Sequence, residues 1–214
     1  MSKTKQYLLP ILILVLFLIF LRWIITTVMP VLWVETKYQY HQTLTNVFHV
    51  PNLKALIVPD FSWLNWEEST KYPEYGIRIP AIFLDEPVVF NTDPNQSKQY
   101  TQALKKGIAH ASSTAFPDNG GLGYYFAHSA SDNLRIQYNA VFYLLGKLEK
   151  GDEIFIWHEG SKYEYQVYKK EVTQPQQVSF LYQDYDQETI VLQTCWPAGT
   201  TKERLLIFAK RVES

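Results

Sequence analysis

Cysteine is almost absent from this chain. Cys195 is the single thiol in 214 residues. No intramolecular disulfide can form, and no cysteine-rich zinc cluster can be built. An excess of charge of one sign is missing too: 20 basic residues stand against 21 acidic ones, for a formal net charge of −1. Without a basic excess there is no electrostatic footprint for nucleic-acid binding. There are no internal repeats and no low-complexity tracts, which excludes solenoids and biased tails.

Apolar residues, in contrast, are plentiful at 47%, enough for a sizeable core, and aromatics at 15% lean toward β structure. The N-terminus carries the longest apolar run. Lys3 and Lys5 precede Leu8 to Leu21, which only Pro10 interrupts. Tyr7 to about Met29 supplies the roughly 20 residues a spanning helix needs, with Arg22 snorkelling toward an interface. No small-x-small cleavage site follows, so the segment reads as an uncleaved signal-anchor rather than a signal peptide. Lys3 and Lys5 favour a cytoplasmic N-terminus, against a weaker signal from Arg22. That orientation makes the protein single-pass in the cell membrane and puts residues 31–214 outside the cell. A free thiol there meets oxidising conditions and needs burial or a use.

Three regions are expected. Residues 1–30 are a cytoplasmic tip and transmembrane anchor, 31–75 a stalk or N-terminal appendage, and 76–214 the main domain. The appendage holds Phe48, Phe61, Trp63, Trp66 and Tyr72, too many aromatics for a purely solvated linker. A short helix over 36–47 would continue from the membrane. In the main domain, 77–80, 81–84 and 87–90 read as strands, and 97–106 as a helix capped by Ser97 and ended by Gly107. A strand follows at 124–127 and a helix at 139–148. Strands at 153–157 and 163–168 flank the turn signal Glu159-Gly160, and two more run over 189–194 and 205–212. The expected class is mainly β: a mixed barrel with short helices in the connections.

The chemistry centres on Cys195, which ends one strand, and on Arg204, which opens the next. A thiol reacts as its thiolate, so a neighbouring cation or base is required. Five histidines are available. His41 and His49 lie in the appendage and His158 at an exposed hairpin end. His110 and His128 are the candidates; His128 is favoured because a strand end that opens into a loop fixes direction and leaves access. Arg204 suits a developing oxyanion, with Arg135, Lys202 and Arg211 as alternatives and a plain surface charge as the bland reading. Thr194 could face the same pocket.

Leu192-Gln193-Thr194-Cys195 followed by Arg204-Leu205-Leu206-Ile207 resembles the signature of the sortases, membrane-anchored cysteine transpeptidases, with Val191 in place of that signature's first threonine. Phe126-Ala127-His128-Ser129 is similar to the family's histidine segment, with Ala127 where a glycine is usual. Ile79-Pro80-Ala81-Ile82, Gly107-Ile108-Ala109-His110, Thr114-Ala115-Phe116-Pro117, Phe142-Tyr143-Leu144-Leu145 and Gly151-Asp152-Glu153-Ile154 add weaker likenesses in the right order. The resemblance implies a closed eight-stranded sortase-like barrel with catalytic His128, Cys195 and Arg204, and a substrate-side role for Thr194. It implies a thioacyl-enzyme formed from secreted or surface proteins with a C-terminal Leu-Pro-x-Thr-Gly-type sorting motif. The implied acceptor is an amine, from a cell-wall peptide or a pilin lysine. It lowers His110 to a structural residue. A lid over the site would have to use Pro59-Asp60-Phe61.

Two rivals stand beside this. A cell-wall transpeptidase of the Ser-His-Gly-Cys type would place its histidine next to the cysteine, whereas His128 and Cys195 are far apart in the chain. A membrane-tethered, non-catalytic β-barrel binding module would carry an inert Cys195. No cofactor and no metal are expected; calcium is left open only by Asp184, Asp186 and Glu188, which read first as a solvated loop.

Overall fold

The computed structural model describes residues 3–29, 32–33, 35–36, 38–40, 43, 70–129 and 141–212. These fall in two compact units, one around the N-terminal helix and one around a barrel. The first unit holds helix α1 (Lys3–Trp23) and a π-turn, Ile24–Val28. Its side chains are described from Pro10 onward, and those from Ile11 to Leu21 are 40–60% exposed. Among the described residues no helix is long and apolar enough to cross a membrane. The transmembrane helix expected from the sequence is therefore not found there; its first turns lie outside the described side chains. Of the helix expected over 36–47, the described residues 36, 38–40 and 43 are helical, and Thr43 Oγ1 donates to the Gln39 carbonyl (2.8 Å). The candidate lid at 59–61, His41 and His49 lie outside the described residues.

The second unit is an eight-stranded closed barrel. Strands β1 (Tyr75–Ile79), β2 (Leu84–Thr92), β3 (Ile108–Ala111), β4 (Leu122–Phe126), β5 (Glu153–His158), β6 (Ser161–Thr173), β7 (Thr189–Trp196) and β8 (Glu203–Arg211) close in the order β1-β2-β3-β4-β7-β8-β6-β5. Two pairs are parallel, β2 with β3 and β4 with β7. The first crossover carries helix α2 (Ser97–Leu104).

Several local expectations are corrected. Residues 80–82 form a 3-10 turn instead of the start of a second strand: Pro80 opens the turn, and Phe83 at φ 55° reverses the chain into β2. Helix α2 is capped by Gln96, not Ser97, without a side-chain cap bond; the Asp93 carboxylate ties the turn before it, accepting from Asn95 N–H (2.9 Å) and Gln96 Nε2 (3.1 Å). The helix expected to end at 148 is a 3-10 turn, Leu145–Lys147, among its described residues. Gly146 lies in that turn, where a Cβ would stand 2.6 Å from the Trp196 ring. A glycine favoured by this close approach is also a weak helix former. His158 is half-buried rather than exposed, stacked on Phe116 at 5.0 Å and against Tyr75 at 4.8 Å.

The barrel wall has two apolar faces. A strand alternates its side chains, so one set fills the interior and the other faces out. The outer set packs under α2 and the 3-10 turn at Ser179–Tyr182: Ala103, Leu104, Ala109, Ala111, Tyr124, Phe126, Phe180, Val191, Leu206 and Phe208 form one buried cluster. Ile190, Leu192 and Thr194 alternate with Val191, Gln193 and Cys195 along β7. The former therefore point inward and the latter outward. Burying each large outer side chain contributes about 1.5–3 kcal/mol. That energy holds α2 on the wall, one strand away from the site.

Candidate active site

Sheet register brings the three distant residues together. The parallel pairing of β4 and β7 matches Tyr124 with Val191 and Phe126 with Gln193. It runs on through Ala127 N–H to the Gln193 carbonyl (3.2 Å). The ladder ends there: β4 stops at Phe126, and His128 follows two residues past it, in the direction in which Cys195 follows two residues past Gln193 on β7. On the other side, antiparallel β7 and β8 pair Cys195 directly with Arg204. Cys195 and Arg204 are thus direct neighbours on β7 and β8, and His128 lies just past the end of β4 on the other side of β7, which makes a row of three candidate residues. All three are half-buried, and alternation puts Cys195 and Arg204 on the outer face with Gln193 and Leu206.

Four bonds to backbone groups hold the surroundings of these residues. Thr194 Oγ1, buried in the wall, donates to the Ala127 carbonyl at 2.9 Å. The bond clamps the residue before His128 to the residue before Cys195. The His128 carbonyl accepts from Phe142 N–H at 2.9 Å. Arg204 Nη1 donates to the Thr201 and Glu203 carbonyls (3.2 and 3.0 Å), which ties the guanidinium to the β7–β8 turn. Trp196, next to Cys195, closes over Gly146, whose carbonyl accepts from Lys170 Nζ at 3.2 Å. Lys170 also bonds the Leu148 carbonyl (2.7 Å) and pairs with Glu149.

His110 lies in the other compartment. Ala109 and Ala111 face out into the cluster, so His110 faces in and is 1% exposed. Its Nδ1 meets the Tyr75 hydroxyl and its Nε2 the Thr114 hydroxyl, each at 2.9 Å. Its ring stacks on Tyr125 at 4.7 Å, and the Tyr75 and Tyr125 hydroxyls are 3.1 Å apart. Burial pulls its pKa down to about 4, and nearby His158 adds to the effect. It is a neutral, doubly bonded interior histidine.

Two tyrosines that sequence reasoning did not single out border the row. Tyr100, on α2, stacks on Phe126 (5.4 Å, 11° between planes) and meets His128 edge-on (6.3 Å, 85°). Tyr124, on β4, is hydrogen-bonded to the Gln193 side chain. Burial raises the pKa of both phenols; a charge on Cys195 raises each further, and Arg204 opposes it. Outward parity on β4 and β7 was a signal for Tyr124 and Gln193. No local signal marks Tyr100.

Among the described residues no group of three or more His, Cys, Asp or Glu side chains is placed to hold a metal ion. Glu188 accepts a hydrogen bond from the Tyr165 hydroxyl and another from Asp118 N–H (3.1 Å), so its carboxylate serves the wall.

A closed eight-stranded barrel with parallel β2–β3 and β4–β7 pairs, and with Cys195 paired to Arg204 on its outer wall, defines the fold class. The family model of the sortase domain matches residues 77–212. This chain belongs to the sortase family, whose members are cysteine transpeptidases. Sortase D of Bacillus subtilis (strain 168) is 27% identical over 148 residues, covering 65% of this chain and 67% of that protein. Among solved structures, a lid mutant of sortase A from Corynebacterium diphtheriae is similar with a TM-score of 0.56 and 26% identity, over 76% of this chain and 75% of that one. Clostridium perfringens sortase C, solved with the C-terminal cell wall sorting motif, has a TM-score of 0.54 and 27% identity, over 65% of this chain and 70% of that one.

Proposed function

We propose that this protein is a cysteine transpeptidase that cleaves a C-terminal Leu-Pro-x-Thr-Gly-type sorting motif and transfers the cleaved protein to an amine at the cell surface. The observation that supports the reading is the direct pairing of Cys195 with Arg204 across β7 and β8, with His128 two residues past the end of β4 on the other side of β7. Family membership supports the reaction type. The motif is inferred from C. perfringens sortase C, whose structure holds the sorting motif.

In this mechanism the Cys195 thiolate attacks the threonine carbonyl carbon, and a C–S bond forms as the carbonyl oxygen becomes an oxyanion. Arg204 N–H groups donate to that oxyanion. The C–N bond to glycine then breaks, and His128 gives its proton to the leaving amine. An acceptor amine attacks the thioacyl carbonyl, His128 takes its proton, and the amide forms as Cys195 leaves. The acceptor is a cell-wall peptide amine or a pilin lysine. Thr194 serves the substrate indirectly, by holding the backbone on which His128 stands.

The catalytic unit is assigned to 76–214, the appendage to 31–75 and the membrane attachment to 1–30. The sequence supports the last assignment through Lys3, Lys5 and the run Leu8–Leu21. The exposed apolar side chains of α1 need cover, and a bilayer supplies it. A single-pass anchor with the N-terminus inside tethers enzyme beside tethered donor and acceptor, which raises their effective concentration.

The test offers the purified chain a panel of sorting-motif peptides, each with several amines, and reads the products by mass. Transpeptidation that Cys195→Ala abolishes supports the reading. No product with any pair refutes it and leaves the non-catalytic binding module.

A further inference from the structure

Tyr100 reaches the row from outside the three strands that build it. Helix α2 is held to the wall by Ala103 and Leu104, both inside the outer apolar cluster. One turn earlier, Tyr100 packs against the same cluster, its ring nearly parallel to Phe126 at 5.4 Å. Phe126 is two residues before His128. From that platform the Tyr100 ring presents itself at 85° to the His128 imidazole, with centroids 6.3 Å apart. The imidazole is therefore bordered by a rigid aromatic plane that its own strand also supports.

We propose that Tyr100 is a positioning residue of this site, whose ring fixes the orientation of the His128 imidazole. The inference rests on the transpeptidase reading for its purpose, but its test does not require turnover. The charged and titratable groups facing Cys195 are His128, Tyr124 on β4, Arg204 and Glu203 on β8, and Tyr100 on α2. Of these, only Tyr100 is altered in the test.

The readout is the pH dependence of Cys195 alkylation by iodoacetamide in the full chain. The thiolate displaces iodide and a C–S bond forms, so the rate follows the thiolate fraction. Tyr100→Leu removes the ring, and we expect its alkylation midpoint to rise by about 0.3 pH unit or more, because an imidazole free to turn away supports the thiolate less. Tyr100→Phe keeps the ring and its stack on Phe126, and its midpoint should match that of the unaltered chain. An unmoved midpoint in a Leu variant that still melts cooperatively, or a Phe variant that shifts as far as the Leu variant, overturns the proposal. Should no peptide be turned over by the unaltered chain, the function proposed above falls, while both Tyr100 outcomes remain readable.

Discussion

The two faces of one barrel wall treat the same side chain in opposite ways. His110 on β3 faces inward, where both ring nitrogens have hydroxyl partners and burial keeps it neutral. His128, two residues past the end of the neighbouring strand β4, is half-buried, with the Tyr100 ring edge-on at 6.3 Å. A histidine that is buried with both nitrogens satisfied stabilises a fold and has no proton to exchange with a substrate. One that is half-exposed, on a wall whose register is clamped, can move protons. The difference follows from parity along a strand: one residue of slip would exchange the two environments.

The comparison can be broken most severely at the outer face. Cys195→Ala is expected to abolish thioacyl formation while leaving the melting temperature within about 2 °C, since the thiol is on the outer wall and little apolar area is lost. Arg204→Lys keeps the charge but loses the planar donor fork, and kcat should fall by about 10²–10³-fold in a steady-state peptide assay.

The inner face should respond in stability rather than rate. Burial pulls the His110 pKa down to about 4 in the folded chain, against the ordinary 6.5 of a solvated imidazole. Between those values the unfolded chain binds more protons, so stability is fully present above about pH 6.5 and is lost as pH falls toward 4. The loss is about 3 kcal/mol. Urea midpoints at pH 7 and pH 4 should show it, and His110→Phe should flatten that part of the difference. The smallest effect is expected at the clamp between the faces. Thr194→Val removes its bond to Ala127 and should cost about 1 kcal/mol in urea melts. It should also lower kcat more than it changes KM, because His128 loses its fixed place.

Much of this was legible from particular residues. The run ending at Cys195 and the run opening at Arg204 are short, nearly continuous apolar stretches, and β7 and β8 lie where those runs put them. His128 was legible as a strand end running into polar residues. Parity across strands was not: Ala109 and Ala111 face out only because α2 packs over them, a contact made across the fold. Pro80 allowed either a strand or a turn, and Phe83 at positive φ decided for the turn. Tyr100 owes its place to α2 docking on Phe126, a packing event that no local pattern encodes.

The most direct test is the intact mass of the full chain after a short exposure to a Leu-Pro-x-Thr-Gly peptide, followed by fragmentation to locate the adduct. The account predicts a mass gain equal to the Leu-Pro-x-Thr fragment, carried on Cys195 and lost on adding an amine. An adduct on another residue, or none with any sorting motif, would contradict it.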